Sequence, residues 1–75
     1  MLAKLDLRGT PCPVNFIRCR LAIEKLNYNQ TLEVDIDKGE PEEMVSLGLR
    51  KEGHKIKILF EQKDWVRLLI TPNAK

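Results

Sequence analysis

Leu5-Asp6-Leu7-Arg8-Gly9-Thr10-Pro11-Cys12-Pro13-Val14-Asn15-Phe16 changes its hydrophobic period partway through, and that change decides the fold. Leu5 and Leu7 alternate with Asp6 and Arg8, the two-residue period of a strand, which runs into the turn Gly9-Thr10-Pro11. Pro13 suits the first turn of a helix, because its fixed φ is helical and its missing N–H would have no helical partner there. Cys12 then falls at or beside the N-cap. The spacing predicts a helix from Pro13 to about Leu26. Phe16, Cys19, Ala22, Ile23 and Leu26 gather on one side as a broad apolar stripe, with Cys12 projecting the same way. A narrower stripe of Val14, Ile17 and Leu21 lies roughly opposite, among charged residues.

Downstream, Asn27-Tyr28-Asn29-Gln30 is a polar break, and Leu32, Val34 and Ile36 alternate with Glu33, Asp35 and Asp37 as a half-buried strand. Gly39 turns the chain. Pro41, Glu42 and Glu43 have the composition of a first helical turn, Met44, Val45, Leu47 and Leu49 supply apolar contacts, and Gly53 stops the helix. Ile56, Ile58 and Phe60 form an apolar strand face, less neatly at Leu59, and Val66, Leu68 and Ile70 form another. The polar link Glu61-Gln62-Lys63-Asp64 makes the two a hairpin. Pro72 to Lys75 reads as a loose tail. The order β-α-β-α-β-β, with strands apolar mainly on one face, predicts an α+β two-layer sandwich: a four-stranded mixed sheet with two helices on one face.

The 75 residues suit one domain, 1–75, held by one core. Net charge is +2, with both signs interspersed, well short of a nucleic-acid footprint, so direct nucleic-acid binding is not expected. No apolar run approaches the roughly 18 residues of a membrane span, and Met1 to Asp6 has no signal-peptide character, so a cytoplasmic location follows by default. Two cysteines and one histidine fall short of a closed four-ligand zinc site, and no metal or cofactor is expected. A monomer is the default for so small a chain.

A thiol at a helix start faces unsatisfied backbone N–H groups and the positive end of the helix dipole, which favour the thiolate. Arg8, Arg18 and Arg20 are near in sequence and offer further positive potential. Position alone leaves a second reading of Cys12, as a small residue filling the strand-to-helix junction. Cys19 lies within the apolar stripe and reads as packing. A disulfide between the two would require Cα atoms within ~7 Å, whereas their helical separation puts them about 10 Å apart.

Leu7-Arg8-Gly9-Thr10-Pro11-Cys12-Pro13 resembles the Leu-x-Gly-x-x-Cys-Pro-x-Pro signature of the TusA/SirA-like sulfurtransferases. Length, element order, the acidic strand end at Asp35 and Asp37, and Gly53-His54 before the third strand resemble that family too. The resemblance implies a small cytosolic carrier. Its Cys12 would accept sulfane sulfur as a persulfide from a cysteine desulfurase or rhodanese-like donor and pass it to an acceptor protein. tRNA thiolation, molybdenum-cofactor maturation and oxidative sulfur metabolism are the pathways it implies. Gly9, Pro13 and Asn15 occupy supporting motif positions. Asn15 stands where the family has its second proline; it removes a rigid element and adds an amide able to hydrogen-bond near Cys12.

Val14, Ile17 and Leu21, beginning beside Cys12, are a candidate docking surface for a donor or acceptor. His54 reads as a helix-end cap, and Asp35, Asp37, Glu40, Glu42 and Glu43 as local capping and solvation rather than a metal or acid cluster. Trp65 is expected on the open side of the sheet with Arg67 and Leu69. The competing function is a non-catalytic RNA- or protein-binding module using Lys55, Lys57 and Arg67 on that open face. A redox switch between Cys12 and Cys19 would need an intermolecular disulfide.

Overall fold

The computed structural model describes residues 2–11, 13–27 and 30–73. Its elements are β1 (Leu2–Asp6), α1 (Val14–Glu24), β2 (Thr31–Asp37), α2 (Glu40–Lys51), β3 (Lys55–Glu61) and β4 (Trp65–Thr71). The strands form one sheet in the order β1-β2-β4-β3. β1 runs parallel to β2, and β4 is antiparallel to both β2 and β3. β1, β2 and β3 therefore point the same way, and the helices that return the chain between them, α1 and α2, run parallel to each other. Both lie on one face of the sheet, giving the α+β two-layer sandwich expected from the pattern.

The two central strands supply most of the core. Leu32, Val34 and Ile36 of β2 and Val66, Leu68 and Ile70 of β4 are buried against Cys19 and Ile23 of α1 and Val45 and Leu49 of α2. Each such aliphatic side chain contributes about 1.5–3 kcal/mol by leaving water. Of the apolar residues expected to pack from α2, Met44 and Leu47 do not. They are 48% and 54% exposed, because the buried side of α2 is set by the i, i+4 pair Val45 and Leu49. Between that pair sits Gly48, where α1 comes close: a Cβ there would lie 2.5 Å from Cε1 of Phe16.

Helix ends depart slightly from the sequence reading. Pro13 occupies the N-cap of α1 (φ −95°, ψ 8°) rather than its first turn. The regular helix ends at Glu24, because Lys25 N and Leu26 N bond to Ala22 O and Ile23 O, three residues back, in a tightened final turn. Gly53 stops α2 as expected. It adopts φ +92°, Gly53 N donates to Arg50 O, and His54 N donates to Leu49 O, the paired bonds of a Schellman cap.

β3 differs most from expectation. Ile56 and Ile58 lie opposite Ile70 and Leu68, on the helix side, but Phe60 lies opposite Arg67. The register shift between Ile58 and Phe60 admits Leu59 as an extra residue, and a one-residue slip moves the rest of the strand to the other face. Phe60 thus joins Trp65 on the open face, with ring centroids 5.7 Å apart. The tail is also less loose than expected as far as Asn73, whose N–H donates to Nδ1 of His54 at 3.0 Å. Tyr28, Asn29, Ala74 and Lys75 lie outside the described residues.

Candidate functional site

The segment joining β1 to α1 is held at both ends by hydrogen bonds its residues are built to make. Leu7, fully buried, extends the pairing with β2 through Leu7 N to Asp35 O at 2.7 Å. Thr10 N donates to Leu7 O at 3.0 Å and closes a turn whose third residue, Gly9, has φ +78°. That is the conformation a type II turn requires, and it favours glycine. The same Gly9 N–H donates to Oδ2 of Asp37 at 2.8 Å, so the carboxylate ending β2 fixes the loop. On the helix side, Asn15 N donates to Pro11 O and Ile17 N to Pro13 O, both at 3.1 Å. Cys12, the motif residue between the two prolines, lies outside the described residues.

Asn15 is fully buried. Pro13 offers no side-chain cap, and α1 has no acidic residue in its first turn. The Oδ1 of Asn15 accepts from Phe16 N at 2.7 Å, satisfying one free donor of the helix start. Its Nδ2 is buried with no partner among the described residues.

The three arginines near the motif separate in space. Arg8 grips Asp6 with Nε and Nη2, each bond 3.0 Å, and lies 4.8 Å over the Trp65 ring. These bonds hold the Asp6 carboxyl down at about 2 and raise the Arg8 pKa in return. Arg20 pairs with Glu52 at 3.2 Å and stacks over Phe16, bridging α1 to the C-terminal end of α2. Only Arg18 makes no ion pair among the described residues. Cys19 is fully buried, and burial pushes its thiol up to about 12. It is a packing residue, held as the neutral thiol at physiological pH.

The other polar candidates have local employment. Asp35 takes the Arg67 guanidinium on both oxygens, at 2.7 and 3.1 Å, with Glu33 adding a contact at 3.2 Å. Glu40, Glu42 and Glu43 fill the first turn of α2. No group of acidic, histidine and cysteine side chains among the described residues is arranged to hold a metal ion. His54 caps α2 through its backbone; its ring accepts from Asn73 N through Nδ1, and its Nε2 lies 3.7 Å from Glu52. No helix among the described residues is long and apolar enough to cross a membrane.

Val14, Ile17 and Leu21 are 44%, 51% and 52% exposed. Contact of Phe16 with Gly48 and of Arg20 with Glu52 sets α1 and α2 side by side in register. Met44 and Leu47 are exposed on α2, where the sequence reading expected them to pack, and Leu47 lines a pocket on the β3 side of that helix with Ile56, Ile58 and Leu68. The signal was present: on a helical wheel both fall away from the Val45–Leu49 side, and a glycine inside a helix marks a close approach.

Residues 3–71 match the family model described as "Sulfurtransferase TusA". A candidate sulfur carrier protein of Archaeoglobus fulgidus is 31% identical over 67 residues, covering 87% of this chain and 76% of that protein. The crystal structure of a SirA-like protein from Desulfitobacterium hafniense superposes with a TM-score of 0.75 at 20% identity, over 93% of this chain and 95% of the other. With its motif loop, element order and core accounted for, the chain belongs to the TusA family of sulfurtransferases.

Proposed function

We propose that this chain acts as one TusA/SirA-like domain that carries sulfane sulfur as a persulfide on Cys12. The observation that carries the reading is the anchored loop: Gly9 is tied to Asp37 before the motif cysteine in the sequence, and Asn15 N after it is tied to Pro11 O. The start of α1 has no acidic side chain to occupy its dipole, which favours an anion there. Cys19, buried and held as a thiol, leaves Cys12 as the cysteine available for reaction.

In the step proposed, the Cys12 thiolate attacks the outer sulfur of a donor persulfide. The new S–S bond forms on Cys12 as the donor's S–S bond breaks, and the electron pair leaves with the donor thiolate. The transferred sulfur keeps its oxidation level, and no cofactor is required. A cysteine desulfurase or a rhodanese-like enzyme has the chemistry of the donor. The exposed stripe of Val14, Ile17 and Leu21 would receive donor and acceptor in turn as the cytoplasmic monomer cycles between them. tRNA thiolation is one process such an acceptor would serve. RNA binding on the open sheet face is disfavoured, because Arg67 is already held by Asp35 and Glu33.

The test is intact mass after incubation with a desulfurase and cysteine. A reducible gain of about 32 Da, one sulfur on the thiol, is expected in the parent and in Cys19→Ser, and is lost in Cys12→Ser. An adduct that survives in Cys12→Ser would overturn the assignment, as would its absence from the parent with both donor types.

A further inference from the structure

A groove lies open on the side of α2 turned away from α1. Its floor is Ile56 and Ile58 of β3 with Leu68 of β4, and Leu47 stands in its wall. Leu47 and Ile58 are 54% and 52% exposed, so apolar surface faces water on both sides of the opening. The wall is polarised along its length. Glu42 and Glu43 stand at one end and Arg50 at the other, and none of the three makes an ion pair among the described residues. The helix dipole accounts for the signs of these charges, but not for an exposed leucine midway between them. At ~1.5 Å rise per residue, Glu43 lies about 6 Å before Leu47 along the axis and Arg50 about 4.5 Å after it. Opposite charges at nearly equal distances from a central apolar residue make a surface complementary to itself when it is turned end for end.

We propose that this groove receives a second copy of the chain, docked antiparallel about a two-fold axis that passes beside Leu47. Leu47 of each copy then enters the groove of the other against Ile58, and Glu43 of each copy faces Arg50 of the other. A parallel docking would set Glu43 against Glu43 and Arg50 against Arg50, which is unfavourable. Lys55 and Lys57, exposed on the opposite face of the edge strand β3, guard its free edge against pairing with strands in general. The helix side is the one open to the copy. Because α2 meets α1 through Gly48, on its other side, the pairing leaves the stripe of Val14, Ile17 and Leu21 uncovered. One groove and one helix side make a small interface, so the pair forms reversibly and the single chain is the form present at low concentration.

The experiment is sedimentation equilibrium of the full chain in reducing buffer, across roughly 1 μM to 1 mM, the span of weak association. The reductant excludes an intermolecular disulfide. The average mass should climb from one chain towards two as concentration rises, and added salt should oppose the climb. Leu47→Glu replaces an exposed side chain, so it should keep its melting point and remain a single chain. Glu43→Arg and Arg50→Glu should each weaken the pair about tenfold, since each turns both attractions into repulsions. Mixed in equal amounts, those two variants should associate with each other as well as the parent does with itself, because every facing pair is again of opposite charge. A parent that stays single at the highest concentration overturns the proposal and leaves the groove to a foreign protein. Association that Leu47→Glu leaves unchanged overturns it too, as does a mixture of the charge variants that fails to recover the pair. None of these readings involves sulfur, so the carrier function stands or falls separately.

Discussion

α1 and α2 run parallel on the same face of the sheet, yet they begin in opposite ways. The first turn of α2 follows Gly39 at φ +91° and contains Pro41 with Glu40, Glu42 and Glu43, while Arg50 and Lys51 close its last turn. Every charge there opposes the helix dipole, as a helix built for stability should have it. α1 has no acid in its first turn and no base in its last, and its one polar side chain at the start is a buried neutral amide. A helix start left uncomplemented by its own sequence is available to an anion from elsewhere. The contrast separates a helix whose own charges complete its start from one whose start they leave open.

The comparison breaks most severely where the helices touch. Gly48→Val places a branched side chain where even a Cβ would meet the Phe16 ring at 2.5 Å. Valine is the better helix former, but overpacking of this kind costs about 1–3 kcal/mol. The melting point should fall by at least about 4 °C, and sulfur loading should fall with it as α1 loses its register on α2. A melting point that holds would mean the ring swings aside freely.

Val14→Glu sharpens the comparison by giving α1 the acidic first turn of α2. Val14 is 44% exposed, so little packing is lost. The new carboxylate should stabilise the helix start by about 0.3–1 kcal/mol and raise the melting point by roughly 2–6 °C. The same charge should disfavour the Cys12 thiolate and slow its alkylation at neutral pH by about two- to tenfold. Greater stability with undiminished alkylation would show that the two helix starts do not differ in function.

How much the sequence disclosed depended on how local the determining interaction is. The alternation of Leu32, Val34 and Ile36, and the close of α2 at Gly53, arise from neighbouring residues and were legible. The reversal of Phe60 was not, because the bulge exists only relative to the register of β3 on β4, with Leu59 as its one local sign. The motif around Cys12 could be read as chemistry. The destinations of Arg8 and Arg20 could not, since each long side chain had several carboxylates in reach and the fold chose Asp6 and Glu52. Asn15 was visible as a departure from the family's proline, but its complete burial depends on how α1 sits on the sheet.

The smallest expected effect concerns the strap that holds down the loop before α1, as the Lys38–Glu61 pair does for the loop before α2. Asp6 binds both Arg8 nitrogens and its backbone N–H, while Arg8 covers Trp65. These bonds, with the side-chain bond from Arg8 the largest cause, lower the Asp6 carboxyl from 3.8 to about 2. A carboxyl lowered on folding adds stability above its unfolded pKa and loses it as pH falls through the folded value. The advantage of the parent over Asp6→Asn should therefore be constant at neutral pH, shrink below about pH 4, and vanish near the folded value of about 2. The pair is exposed and screened, so a small difference in urea midpoint across a pH series is the measurement. A difference that persists unchanged at the acid end would mean that the packing of Arg8 on Trp65, rather than the charge of Asp6, secures the loop from which α1 begins.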